Sequence, residues 1–168
     1  MLKFREILVP TDFSEASTVA FGLARELAEA SGAKVVLVTV VDDPARLRLA
    51  VIDSPGAMLN LNLDALSADL QKHARERLRA FSDRLGPRCS DTVAVEGTSP
   101  AREIVRLGKE RGSDLIVIAT HGRTGVAHAL MGSTAEKVVR EAPCPVLTVR
   151  CSEVPEPRRP TRAGERER

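Results

Sequence analysis

The chain has no tryptophan and no tyrosine; its aromatic residues are four phenylalanines. The Tyr and Trp platforms on which single-strand binders and many interfaces rely are therefore missing. An excess of one charge is missing too. Lys and Arg number 25 against 23 Asp and Glu, a formal net charge of +2, which is too small to gather polyanions by counterion release. Recognition has to run through backbone, aliphatic and individually charged groups, and nucleic acid is not an expected partner.

Cysteine is scarce. Cys89, Cys144 and Cys151 are too few and too widely spaced for a zinc knuckle or a disulfide framework, so they read as reduced thiols. No apolar run reaches the roughly 18 residues of a membrane span. The opening MLKFREILVPTDF has neither an apolar signal core nor a small-residue cleavage site. A cytoplasmic protein without a membrane partner is expected. With 43% hydrophobic and 29% charged residues in 168, the composition is that of one ordinary globular domain.

What is present is an alternation of apolar runs and helical periods. Residues 4–9 form a short apolar run stopped by Pro10, which reads as a buried strand. Ser14 and Glu15 open a stretch with Val19, Leu23, Ala24 and Leu27 at helical spacing, closed by Gly32. Residues 34–41, KVVLVTVV, are nearly all β-branched and apolar, as in a parallel strand covered on both faces. The segment 42–61 carries mixed signals and a Pro55-Gly56 break. A long amphipathic helix is expected over 64–85, then a short strand over 92–95. Ser99-Pro100 with Glu103 starts a helix that ends near Gly112. LIVIA at 115–119 is a further strand, 132–141 a helix, and 146–149 the last strand.

Five strands alternating with four helices predict a doubly wound α/β open sandwich with a parallel sheet, because parallel strands need crossovers. The domain is expected to span 1–150. Residues 151–168, rich in Pro, Arg and Glu without apolar period, read as a disordered charged tail.

In such a sheet, ligands bind beyond the carboxyl ends of the strands, where strand order reverses. The segments to search are Pro10-Thr11-Asp12-Phe13-Ser14, Val40-Val41-Asp42, and Thr120-His121-Gly122-Arg123-Thr124-Gly125 leading to Gly132-Ser133-Thr134. The last has the parts of an anion cradle: glycines that let amides approach, a helix N-terminus with hydroxyls, and Arg123 to add charge. It is neither a Walker A loop nor a GxGxxG fingerprint. Asp12 reads equally as an Asx-turn residue or a ligand contact, and Ser133 equally as a helix N-cap or a ligand contact. No Ser/His/Asp triad and no paired-carboxylate motif is visible, and Asp12 and His121 are the only candidate bases near the cradle. No catalytic residue is assigned.

The runs ILVPTDFSEAS, VLVTVVD and IVIATHGRTGVAHALMGSTAEKVVREAPCPVLTVR together resemble the universal stress protein family over about residues 3–150. The family's ATP-binding branch carries Gly, two residues, Gly, nine residues, then Gly and Ser or Thr. Here Ala119 stands at the first glycine, while Gly122, Gly132 and Ser133 match. An alanine adds one methyl group, and an extended backbone there demands no positive φ.

The resemblance implies an adenine-nucleotide α-hydrolase-like fold with strand order 3-2-1-4-5. It implies ATP as ligand, with Mg²⁺ held through the phosphates rather than by a dedicated protein site. Val40 would line the adenine pocket and Pro10, Thr11 and Asp12 would border adenine and ribose. Gly122, Arg123, Gly132, Ser133 and Thr134 would hold the phosphates, and Ala119 and Thr120 count with them among the nucleotide-binding residues. It further implies a nucleotide-dependent stress-response switch, and a homodimer through edge strand 146–149, whose apolar edge lacks a charged gatekeeper. The alternatives are a dimeric interaction module that has lost the nucleotide, and a slow ATPase.

Overall fold

The computed structural model describes residues 3–44, 62–120 and 131–150. The expected segment 42–61 falls mostly outside these residues, and the expected tail from 151 lies wholly outside them.

The elements follow in the expected order: β1 (Glu6–Pro10), α1 (Glu15–Ser31), β2 (Lys34–Asp42), α2 (Leu63–Leu85), β3 (Cys89–Gly97), α3 (Pro100–Arg111), β4 (Leu115–Ala119), α4 (Ser133–Glu141) and β5 (Val146–Val149). The sheet is parallel, in the order β3-β2-β1-β4-β5. It is the doubly wound open sandwich, and its order reverses between β1 and β4.

The two faces of the sheet are sorted by strand alternation. Ile7, Val9, Val35, Leu37, Leu115 and Val117 point to one face, against Ala20, Phe21, Ala24 and Ala28 of α1 and Leu78 and Leu85 of α2. Leu8, Val36, Val38, Ile116 and Ile118 point to the other, against Ala101, Ile104 and Leu107 of α3 and Ala135 and Val138 of α4. Central strands covered on both faces must be apolar at every position, which is why β2 and β4 read as continuous runs.

Helix ends follow local chemistry. The Ser14 side chain accepts the Ser17 amide at the start of α1, and Gly32, at φ 77°, closes it with its amide on the Ala28 carbonyl. At α3, Ser99 occupies the N-cap position ahead of Pro100, yet its side chain makes no capping hydrogen bond.

Beyond shifts of one residue at the end of β2 and the start of α2, three boundaries depart from the sequence expectation. The first strand runs Glu6–Pro10 rather than 4–9: Pro10 pairs with Val38 as the last strand residue, and the Thr11 amide then donates to the Val38 carbonyl at 2.8 Å. A proline at a strand end removes one ladder donor without ending the pairing. β3 is nine residues rather than four, because an edge strand tolerates polar residues such as Ser90 and Asp91 that conceal it from an apolar-run search. Lastly, Gly132, not Ser133, is the N-cap of α4. Among the described residues no helix is long and apolar enough to cross a membrane.

Candidate functional site

A crevice of about 340 Å³ opens where the order of strands reverses, at the carboxyl ends of β1, β2 and β4. Its walls come from three directions. Pro10, Thr11 and Asp12 leave β1, with Ser17 behind them on α1; Val38, Val40 and Asp42 belong to β2, faced by Pro100 and Ile104 of α3; Ile118, Ala119 and Thr120 end β4, across from Gly132, Ser133, Thr134 and Ala135 at the start of α4.

The β1–α1 turn is built by its own side chains. Ser17 Oγ gives its single proton to the Ser14 carbonyl at 2.7 Å. In its 2.9 Å bond with Thr11 Oγ1 it must therefore accept, so the Thr11 hydroxyl donates there while accepting the Phe13 amide at 3.0 Å. The Thr11 proton is thus spent on the turn. Asp12 Oδ1 accepts both the Ser14 amide, at 3.0 Å, and the Ser14 hydroxyl, at 2.6 Å, which is an Asx turn on the crevice wall. Phe13 completes the turn with φ 65°, and among the described residues it is the one non-glycine with positive φ.

Opposite, β4 hands the chain to α4 at very close range. The Thr120 amide donates to Val149 of β5, and the Thr120 carbonyl accepts the Gly132 amide at 2.6 Å. A Cβ on Gly132 would lie 2.9 Å from that carbonyl oxygen, so the approach requires glycine even though the Gly132 φ of −70° is ordinary. With its amide occupied, Gly132 leaves those of Ser133, Thr134 and Ala135 as the first-turn donors at the positive end of α4, and Ser133 and Thr134 carry hydroxyls beside them. The crevice therefore has a donor-rich end at α4, carboxylates at Asp12 and Asp42, and an apolar slot between Val38, Val40, Ile104 and Ile118.

Ala119 is the last residue of β4, paired with Val149, and joins the core cluster on the α1 side. Its backbone is extended, so the residue replacing the motif's first glycine creates no conformational demand.

Of the expected site residues, the structure brings Pro10, Thr11, Asp12, Val40, Ala119, Thr120, Gly132, Ser133 and Thr134 to one crevice. Gly122 and Arg123, with His121, lie outside the described residues. Sequence reasoning missed Ser17, Val38, Pro100, Ile104, Ile118 and Ala135 as lining residues. Asp42 follows Val40 in a segment already singled out. Pro100 and Ile104 gave only a helix-start signal, and nothing local says that α3 leans over the end of β2.

Charge at the amino ends of the strands is arranged for structure. The Arg5 and Glu6 amides donate to Asp114 Oδ2 at 2.7 and 3.0 Å, and these bonds hold its carboxyl below the usual carboxylate range. Arg111 bridges Glu6 and Asp91 at 3.0 and 2.9 Å. Partial burial raises the pKa of the Cys89 and Cys144 thiols. Among the described residues no cluster of three or more His, Cys, Asp or Glu could hold a metal ion.

Fold and crevice together define a small doubly wound α/β protein with an open crevice at its switch point. The family model described as the universal stress protein family matches residues 3–150, and the chain belongs to that family. It is similar to a universal stress protein of Methanocaldococcus jannaschii, 33% identical over 150 residues that cover 88% of this chain and 82% of that one. A second M. jannaschii universal stress protein is 28% identical over 161 residues, covering 88% and 95%. Its solved structure superposes with a TM-score of 0.71 over 90% of this chain and 99% of its own, at 24% identity. A universal stress protein crystallised in complex with cAMP superposes with a TM-score of 0.62 at 25% identity, over 90% of this chain and all of its own.

Proposed function

We propose that the chain binds an adenine nucleotide, ATP in the first instance, in the switch-point crevice and acts as a nucleotide-dependent switch in a stress response. The observation that carries this reading is the pairing of an apolar slot with a helix N-terminus across one crevice. Val38, Val40, Ile104 and Ile118 suit a purine base, while the Ser133 and Thr134 amides and hydroxyls at the start of α4 suit phosphate oxygens. Asp12 and Asp42 line the same crevice and offer carboxylates to which ribose hydroxyls can donate. The related protein crystallised with cAMP supports the same ligand class.

The residues present also fit Mg²⁺ brought in on the phosphates, since this ion keeps several waters and prefers phosphate partners to an all-protein cage. It would neutralise phosphate charge near Asp12 and Ser133. This chain's own part is to bind and orient: α4 offers fixed donors and the β1–α1 turn offers a rigid wall. No residue is assigned as a catalytic base, and the role is that of a binding switch rather than a fast enzyme.

The partner is a second copy of the chain. β5 is the sheet's edge, and its residues Val146–Val149 are half-buried and free of charge inside the strand. Pairing across a two-fold axis would satisfy that edge, and light scattering that gives a monomer at micromolar concentration would refute it.

Calorimetric titration of nucleotide-stripped protein with ATP and Mg²⁺, and separately with cAMP, tests the ligand. Micromolar or tighter binding of either supports an adenine-nucleotide site. Absence of heat and of thermal stabilisation with both ligands at millimolar concentration would reject it.

A further inference from the structure

Three of the chain's four phenylalanines, Phe13, Phe21 and Phe81, meet where α2 crosses the β1–α1 turn. At Phe13 the backbone is left-handed, φ 65°, a conformation that costs a residue with a Cβ about 1 kcal/mol or more. Contacts from α2 add to the turn's own hydrogen bonds in holding it there. The Phe13 ring stands edge-on to Phe81, with centroids 5.2 Å apart and planes at 78°, and Phe81 meets Phe21 in the same manner at 6.3 Å. The Arg77 guanidinium lies 4.2 Å from the Phe13 centroid, and Arg84 lies 5.0 Å from that of Phe81 while pairing with Glu15 at 3.3 Å. All three α2 side chains therefore grip the turn or the first residue of α1.

The turn so gripped is the one whose other side faces the crevice. Phe13 donates its amide to Thr11, and Asp12 is fixed by the two bonds from Ser14; Thr11 and Asp12 line the crevice, whereas Phe13 and Phe81 do not. Releasing the ring would let φ relax and swing the two lining residues. We propose that Phe13 is a positioning residue, and that α2, through Phe81 and Arg77, latches the left-handed turn that sets Thr11 and Asp12 against the bound nucleotide. This inference rests on the nucleotide reading above. Because coupling is reciprocal, nucleotide that binds the turn also tightens α2, so α2 reports occupancy of the crevice.

The test compares wild-type protein with Phe81→Leu, which loses the ring edge; Phe81→Tyr, which keeps it; and Ile116→Val, which removes a buried methylene on the opposite face of the sheet as a control for general stability. Amide exchange at Ser14 and Ser17 is read by NMR without nucleotide, and affinity by titration with ATP and Mg²⁺. Phe81→Leu is expected to speed exchange at both amides about tenfold and weaken binding about fivefold or more, while Phe81→Tyr and Ile116→Val stay within about twofold. Wild-type exchange at Ser14 and Ser17 in Phe81→Leu would overturn the latch. Wild-type protein that binds no nucleotide overturns the reading of the crevice, whereas equal binding by wild type and Phe81→Leu overturns the role of Phe13 alone.

Discussion

The Gly132 amide donates to the Thr120 carbonyl at 2.6 Å, and the space for a Cβ on Gly132 is closed by that same oxygen at 2.9 Å. The end of β4 and the start of α4 are thus held at a separation that only glycine permits. Gly132→Ala is expected to destabilise the protein by about 1–3 kcal/mol, because the clash is with backbone rather than a flexible side-chain end. Urea denaturation checks this, and an unchanged midpoint would contradict the close approach.

Ser133 separates stability from binding. As the first residue of α4 it sits at the positive end of the helix dipole, so Ser133→Asp is expected to raise stability by about 0.3–1 kcal/mol at low salt. The same carboxylate would face the phosphates and weaken nucleotide binding by about tenfold or more. Thermal melts and titration of one preparation read both. A stable variant with unchanged affinity would remove α4 from the phosphate site.

Ala119→Gly tests whether the missing motif glycine matters. The Ala119 backbone is extended within β4 and the residue belongs to the core cluster under α1. Restoring glycine is expected to cost about 1 kcal/mol of stability through lost packing and added chain entropy, with affinity unchanged. A tenfold gain in affinity would show that the Ala119 methyl group obstructs the ligand.

Asp114 gives a pH dependence with a definite sign. Its folded pKa lies below the ordinary value because the Arg5 and Glu6 amides, and then the Arg5 side chain, favour the carboxylate. The stabilisation is therefore complete above the unfolded pKa of about 3.9 and is lost as pH falls through the lower folded value. The stability gap between wild type and Asp114→Asn should be constant from neutral pH to about 4 and close below that. A gap that widens on acidification would contradict the assignment.

Much of this was legible in the chain itself. The runs at 34–41 and 115–119 announce strands buried on both faces, since such strands have no polar face to interrupt them. Gly32 and Gly112 mark the ends of α1 and α3, because the left-handed caps they form favour glycine. β3 was legible only in its middle, because an edge strand mixes Ser90 and Asp91 with its apolar residues.

The sequence by itself determined which residue types could serve the site: the turn residues after β1, the aliphatic end of β2 and the small residues opening α4. Local chemistry dictates these, as with Asp12, whose side chain reaches only two residues ahead. The tertiary structure alone decided what stands opposite what. Ile104 of α3 leans over Val40, the Gly132 amide is consumed by Thr120, and Phe81, 68 residues away in the chain, props the backbone of Phe13. Such pairings depend on how helices pack across a twisted sheet, a relation between distant residues that no local pattern encodes.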